Sequence, residues 1–259
     1  MKRMEGVTVW QNYRLNYFGI SDQGQVRRLN EDDFLIMPEY NLFCVADGMG
    51  GHAAGDVASR LSLESIGDYF AFRLHPGEIP RPAYLGDDLV NTDLLQGAVH
   101  YANLRVHQAA GDKTMGSTVV AAFAREQELQ IVHVGDSRAY LWRDHVLQQL
   151  TEDHSLVYEL FRQGHIAAEE MRTHPQRNVI TQALGPRPAI TPTSQVLQPR
   201  PGDLLFLCSD GLTCMLEDRT LVEVLDKHGK PHDTGVTLVD RANAAGGKDN
   251  ITIVLIAIE

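Results

Sequence analysis

The sequence predicts an α+β fold, because strand-like and helix-like segments come in separate blocks rather than in regular alternation. Short apolar or alternating stretches, separated by turn residues, occur early, in the middle and at the end of the chain. Two longer segments with apolar residues at helical spacing follow the first of these strands. The 259 residues, 43% of them apolar, are enough to build a full hydrophobic core.

In the first half of the chain we expect three strands followed by two helices. The strands are predicted at 15–20, 34–37 and 42–46. A first helix is predicted from Ala53 to Phe72, and a second begins at Thr92 or Asp93 and ends at Ala110. The stretch 75–88 between these two helices contains several prolines and glycines, which predicts an irregular connection.

In the second half of the chain the sequence predicts more strands and two further helices. Strands at 117–124, 129–134, 139–142 and 146–150 have connections too short for a crossover helix, which predicts an antiparallel meander. Strands at 193–197, 204–208 and 251–258 and helices at 217–226 and 235–244 follow. We expect a single domain over 1–259, with the polar stretch 151–181 as a flap.

Charge and cysteine content narrow the class of protein. The net charge is −11 and no run of Lys or Arg could neutralise a phosphate backbone, which argues against nucleic acid as a partner. No stretch approaches the ~18 apolar residues that span a bilayer, so no membrane partner is expected. The three cysteines, Cys44, Cys208 and Cys214, lack metal-ligand spacing. Because Cys44 and Cys208 lie inside apolar runs, we expect these two to be buried thiols in a reducing, cytoplasmic compartment.

Two apolar strands end in the same acidic dipeptide. The strand 42–46 runs into Asp47-Gly48, and the strand 204–208 runs through Ser209 into Asp210-Gly211. A glycine after the acid permits a sharp turn and a close backbone approach, so such a strand end can hold an ion. The alternative for either one alone is an Asp-Gly turn that closes a strand.

Further carboxylates lie at turns next to other predicted strands. Asp136 occupies the turn after strand 129–134, and Asp249 precedes the last strand. Each one alone has the same alternative of a simple turn residue. Together these acids, without any cysteine pair or two-histidine cluster, favour oxygen-seeking cations over zinc or copper. The implied metal is Mg²⁺ or Mn²⁺.

An arginine and a histidine accompany the acids. Arg27 precedes Glu31 and Asp32, and an arginine fork can bind phosphate through paired hydrogen bonds, although a local surface salt bridge has the same pattern. His52, just beyond Asp47, could protonate a leaving alkoxide near neutral pH, or it could be an ordinary surface histidine. The glycine-rich turn before His52 lacks the GxxxxGK[ST] signature, and no GxSxG or HExxH motif occurs.

Seven motifs in order make the chain similar to a known family. They are Ser21-Asp22-x-Gly24, Arg27-x-x-Asn30-Glu31-Asp32, Ala46-Asp47-Gly48-Met49-Gly50-Gly51-His52, Met115-Gly116-Ser117-Thr118, Val134-Gly135-Asp136-Ser137-Arg138, Ser209-Asp210-Gly211-Leu212 and Lys248-Asp249-Asn250. This series resembles the bacterial metal-dependent protein phosphatases of the 2C type. The resemblance implies two antiparallel sheets packed as a sandwich and flanked by helices on both outer faces, a four-layer αββα arrangement.

The resemblance also implies roles for the acids. Asp47 would bridge two metal ions, Gly48 would bind through its carbonyl, and Asp210 and Asp249 would complete the second site. Asp136, with Asp210, would hold a weaker third ion.

Three further roles follow from the same resemblance. Glu31 and Asp32 would act through metal-bound waters. Arg27 would hold the substrate phosphate, and His52 would be the general acid.

The implied enzyme is a serine/threonine protein phosphatase. A water or hydroxide bridging the two metal ions would attack phosphorus directly, with no phosphoenzyme intermediate. The expected partners are phosphorylated proteins, the substrates of a serine/threonine kinase, and the enzyme is expected to act as a monomer. Two alternatives stay open: a catalytically silent regulatory member that binds phosphoproteins, and a phosphatase acting on small metabolites.

Overall fold

The computed structural model describes residues 1–50, 54–111 and 113–259. The first part of the chain forms β1 (Lys2–Trp10), β2 (Tyr13–Asp22), β3 (Asp32–Met37), β4 (Leu42–Gly50), α1 (Ala54–Leu74), α2 (Asp87–Val90), α3 (Leu94–Ala110), β5 (Met115–Ser117), β6 (Val119–Arg125) and β7 (Glu128–Val134). The rest forms β8 (Arg138–Arg143), β9 (Val146–Gln149), α4 (Leu156–Arg162), α5 (Ala168–Met171), β10 (Thr193–Leu197), β11 (Leu204–Cys208), α6 (Asp210–Thr213), α7 (Asp218–Lys227), α8 (Pro231–Ala244) and β12 (Ile251–Ile258).

The strands form two antiparallel sheets. The first sheet has the order β1-β2-β12-β11-β8-β9, so β12 lies between β2 and β11. The second sheet has the order β10-β7-β6-β4-β3, with β5 paired to the end of β4. The predicted antiparallel sandwich is therefore confirmed.

The β4 strand shows why the protein has four layers. Phe43 and Val45 belong to the core between the two sheets, whereas Leu42 and Cys44 pack with residues of α1 and α3 on the outer face of the second sheet. Because both faces of β4 are covered, its sequence is apolar throughout instead of alternating. The outer face of the first sheet packs on α7 and α8 in the same way. The predicted buried thiols of Cys44 and Cys208 are confirmed.

The predicted four-strand meander is wrong. β6 pairs with β7 and β8 pairs with β9, but β7 and β8 belong to different sheets. The chain changes sheets at Gly135, whose φ of +106° is in the left-handed region and whose added Cβ would lie 2.6 Å from the Thr118 side chain. Thr118 itself interrupts the strand predicted at 117–124, which forms two strands, β5 and β6.

Two other elements differ from the expectation. The α8 helix begins at Pro231, four residues earlier than predicted, because proline fits the first turn of a helix. The β1 strand was not predicted: it is an edge strand, and Val9 is 70% exposed, so the alternation of buried and exposed residues is weak there. No helix in the described ranges is both long and apolar enough to cross a membrane.

Candidate active site

The acidic residues predicted from the sequence meet in one cleft. It has a volume of about 460 Å³, and residues from well-separated segments line it, among them Arg27, Glu31, Asp47, Gly48, Asp136, Asp210 and Asp249. The acids lie at or near strand ends of both sheets, and Arg27 lies in the connection between β2 and β3. The structure thus brings together candidates that sequence spacing alone could not place. His52 lies outside the described residues.

Pairing of β3 with β4 places the first two acids. Asp32 and Asp47 are opposite each other in the register of these strands. Asp32 is only 6% exposed and lies behind the cleft lining, where Ser209 Oγ donates a hydrogen bond of 2.6 Å to its Oδ2. The same Ser209 oxygen accepts the Thr252 N–H at 3.0 Å. These bonds fix the direction of the Asp32 carboxyl group.

The backbone around Asp47 is also held on both sides. The Asp47 N–H donates to Thr118 Oγ1 at 3.1 Å, and the Thr118 N–H donates to the Asp47 carbonyl at 2.8 Å. The Gly48 N–H donates to the Glu31 carbonyl at 3.0 Å. A side chain at Gly48 would collide with the Gly55 carbonyl at the start of α1. Glycine therefore lets the helix approach the cleft closely.

Crowding of the carboxyl groups changes their acidity. Burial raises the pKa of Asp32 to about 7, and the charges of Asp210 and Asp249 add to the rise. Burial, with the Asp210 charge, raises the pKa of Asp136 to about 8. Asp47 has a pKa well above the usual range because it is buried next to Asp32 and Asp210. A cation would compensate this repulsion.

The arginine pairs across the cleft rather than with its neighbours in sequence. Arg27 Nη2 lies 2.6 Å from Asp249 Oδ2, and this hydrogen bond raises the pKa of the guanidinium. The local salt bridge with Glu31 or Asp32, left open as an alternative, is thus not the contact observed. The other Asp249 oxygen, Oδ1, accepts the Asn250 N–H at 2.9 Å.

The segment 151–181 lies beside the cleft. It contains the short helices α4 and α5, and its residues Arg172 and Arg177 line the cleft together with the acids. Both arginines also line an adjoining cavity of about 640 Å³, bounded on its other side by residues of α6 and α7. Sequence reasoning did not single out either arginine as a site residue.

The chain matches protein phosphatase 2C over residues 24–239. Among similar proteins is the serine/threonine phosphatase stp of Listeria monocytogenes, 36% identical over 243 residues, which cover 91% of this chain and 93% of that protein. The protein phosphatase PstP of Mycobacterium tuberculosis is 37% identical over 248 residues, which cover 93% of this chain and 44% of PstP. The chain belongs to the protein phosphatase 2C family.

Solved structures of the 2C phosphatases have the same fold. The crystal structure of the Mycobacterium tuberculosis phosphatase PstP superimposes with a TM-score of 0.81 at 36% identity, over 95% of this chain and 99% of that one. A PstP catalytic domain in complex with two manganese ions gives a TM-score of 0.79 at 33% identity, over 95% and 99% of the two chains. The predicted family, fold class and enzyme class, a phosphoprotein phosphatase, are therefore confirmed.

An asparagine that sequence reasoning left without a role organises this phosphatase site. Asn250 Oδ1 accepts the Glu31 N–H at 2.8 Å, and its Nδ2 donates to the carbonyls of Gln23 and Leu29, both at 2.9 Å. One buried side chain thus holds both ends of the segment that carries Arg27. Its place directly after Asp249 was visible in the sequence, but three bonds to distant backbone groups were not.

We expect Asn250→Ala to lower the free energy of unfolding by about 2 kcal/mol, since three backbone groups lose a buried partner. Because the segment 23–31 would be held by fewer bonds, the KM for a phosphopeptide should rise as well. Chemical denaturation and steady-state kinetics measure both quantities. Asn91→Ala is the control, because Asn91 makes one exposed hydrogen bond, to the Asp87 carbonyl. Equal stability of the two variants would contradict this role of Asn250.

Proposed function

We propose that this phosphatase hydrolyses phosphoserine and phosphothreonine side chains of proteins with the help of bound Mg²⁺ or Mn²⁺. The observation that carries the proposal is the cleft itself, where acids from separate parts of both sheets lie together with Arg27, which pairs with Asp249. Relatives over most of the chain are named serine/threonine phosphatases. An acidic pocket would repel a phosphate group, so the cleft suits this substrate only with cations present.

The donor set fits hard cations. Asp47, Asp210 and Asp249 with the carbonyl of Gly48 are the proposed ligands of two ions, and Asp136 with Asp210 is proposed to hold a weaker third. Among the described residues no three Asp, Glu, His or Cys side chains converge closely enough to hold a metal ion by themselves. Magnesium keeps several water ligands, which suits a site completed by water. The complex of a related PstP domain with two manganese ions supports the same metals.

The chemistry is divided among the metals and the side chains. When bound, two divalent cations lower the pKa of a water molecule and stabilise the charge on the attacking and leaving oxygens. Arg27 is proposed to orient the phosphate: its guanidinium has five N–H donors, and the Nη2 bond to Asp249 leaves others available. Glu31, in the cleft lining, and Asp32, behind it, are proposed to hold the water molecules that would complete the metal sites. The proposed proton donor to the leaving alkoxide is His52.

The surroundings of the cleft suggest how the enzyme works as a whole. We regard residues 1–259 as one catalytic domain, with 151–181 as a flap that supplies Arg172 and Arg177 to the cleft rim. The free thiols of Cys44 and Cys208 favour a reducing, cytoplasmic compartment. The proposed substrates are proteins phosphorylated by a serine/threonine kinase, and the proposed active form is a monomer.

Metal removal and substrate comparison test this function together. Dialysis against EDTA should lower phosphothreonine-peptide hydrolysis about a thousandfold, because the metals supply several kcal/mol of transition-state stabilisation, and added Mn²⁺ or Mg²⁺ should restore it. Undiminished turnover by the stripped protein would contradict the metal mechanism.

At equal concentration the phosphopeptide should be hydrolysed much faster than a sugar phosphate, and the reverse preference would favour a metabolite phosphatase. Binding of the phosphopeptide without turnover would favour a regulatory protein.

A further inference from the structure

His154 joins three parts of the phosphatase at one point. Its backbone N–H donates to the Gly135 carbonyl at 2.9 Å, directly before Asp136. Its own carbonyl accepts the Thr181 N–H at 2.8 Å. His154 is near the start of the segment 151–181 and Thr181 is its end, so both ends of the flap meet beside the Asp136 turn.

The imidazole adds a second connection to the same turn. Nδ1 of His154 lies 3.1 Å from the Gly135 nitrogen, and Nε2 lies 3.0 Å from Thr193 Oγ1 on β10. A backbone N–H can only donate, so Nδ1 must carry no proton and the neutral ring must carry its proton on Nε2. The site therefore needs a neutral imidazole in one tautomer.

The surroundings favour the neutral form of the ring and pack against it. His154 stacks on His133, with ring centroids 4.6 Å apart and planes at 21°. The Nε2 atom of His133 lies 2.8 Å from the Glu152 carbonyl, to which it donates. Burial, with the neighbouring His133, lowers the pKa of His154 to about 4.

The turn that His154 contacts has few other supports. Gly135 has a φ of +106°, and glycine is the residue with the greatest backbone freedom. On the far side of Asp136, Ser137 Oγ lies 2.7 Å from Thr118 Oγ1. One side-chain contact thus supports the turn on each side of Asp136, and losing the imidazole contact would leave the Gly135 side with only the backbone bond from the His154 N–H.

We propose that His154 is a positioning residue, whose neutral imidazole holds the Gly135 N–H and so directs the Asp136 carboxylate into the cleft. Its backbone holds the flap to the same turn. The inference rests on the proposed role of Asp136 as a ligand of the weaker third ion.

Two substitutions of similar size separate positioning from simple packing. In His154→Asn the Oδ1 atom, bonded to Cγ like Nδ1 of histidine, can accept from Gly135. In His154→Gln the amide lies one carbon further out, nearer the place of Nε2 and Thr193. We expect His154→Gln and His154→Ala to weaken the third Mn²⁺ site about tenfold by calorimetry, the effect of one lost hydrogen bond, and His154→Asn to restore most of it.

Kinetics and hydrogen exchange complete the experiment. In His154→Ala and His154→Gln, kcat for a phosphopeptide should fall more than KM changes, and amides of 152–181 should exchange faster in His154→Ala. In the Asp136→Ala background, His154→Gln should change Mn²⁺ affinity no further. His145→Ala is the control, because this exposed ring pairs with Asp226 on α7 and should leave every reading unchanged.

Contrary outcomes are distinguishable. Normal third-ion affinity in His154→Gln, together with weak affinity in Asp136→Ala, would overturn the inference alone. Normal affinity in Asp136→Ala would overturn the proposed role of Asp136 and the inference with it. If His154→Ala does not fold, equal Mn²⁺ affinity and kcat of the Asn and Gln variants would also overturn the inference.

Discussion

Replacing Asp47 with asparagine is expected to lower phosphopeptide hydrolysis about a thousandfold, because the proposed bridging ligand of both ions is lost. The metal-free variant should at the same time melt at a higher temperature than the metal-free wild type at pH 7. Asp47 is crowded by Asp32 and Asp210, and burial raises its pKa well above the usual range, so its charge opposes folding. Opposite changes in activity and stability are typical of a functional site.

Calorimetric Mn²⁺ titration, thermal melting and kinetics measure these effects on one variant. Asp68→Asn is the matched control, since it neutralises an exposed carboxylate of α1 away from the cleft. It should leave metal binding and activity unchanged. Two normal Mn²⁺ sites in Asp47→Asn would contradict the bridging role, and a lower melting temperature of the metal-free variant would contradict the repulsion argument.

Replacing Arg138 with alanine is expected to lower the free energy of unfolding by about 3 kcal/mol, because a buried carboxylate would lose its partner. Arg138 Nε and Nη2 bind the two oxygens of Asp153 at 2.8 and 2.7 Å, and Nη1 donates to Tyr140 Oη at 3.0 Å. The Asp153 side chain is only 12% exposed. This fork attaches the start of the segment 151–181 to β8.

Urea denaturation of Arg138→Ala and three further variants tests this estimate. Arg138→Lys keeps the charge but not the fork and should recover part of the loss. Asp153→Asn in the Arg138→Ala background removes the stranded charge and should also restore stability. Arg125→Ala breaks an exposed ion pair with Glu126, 3.6 Å long, and should cost less than about 0.5 kcal/mol. Equal losses for Arg138→Ala and Arg125→Ala would contradict the assignment.

The sequence was most informative about elements whose pattern depends on local chemistry. Buried strands such as β4 and β11 are apolar throughout, and Asp93 caps α3 through its bond to the Gln96 N–H, so their limits were predicted within a few residues. The acids at strand ends were predicted because their pattern, a carboxylate next to an apolar strand, is local as well. Periodicity reports that a segment is a strand but not which strand it pairs with, so the separation of β7 from β8 was missed.

The supports of the site depend on contacts between distant residues. Ser209, Asn250 and His154 each hold another residue of the site or its turn through bonds to side chains or backbone far away in sequence. Nothing in the local pattern around a serine, asparagine or histidine specifies such a partner. The Arg27 pair with Asp249 was unpredictable for the same reason, because it depends on where β12 lies.

The central place of β12 in the first sheet has a consequence for synthesis on the ribosome. β1 and β2 are made before every other described strand, yet the strand that separates β2 from β11 is the last of the described elements. Pairing between strands so far apart in sequence carries a large loop-closure cost and is slow. The nascent chain can form the second sheet earlier, while Asp249, the residue that Arg27 contacts, has yet to be translated. A chain that has not yet reached β12 lacks both a central strand of the first sheet and the Asp249 partner of Arg27, so we expect it to have no phosphatase activity.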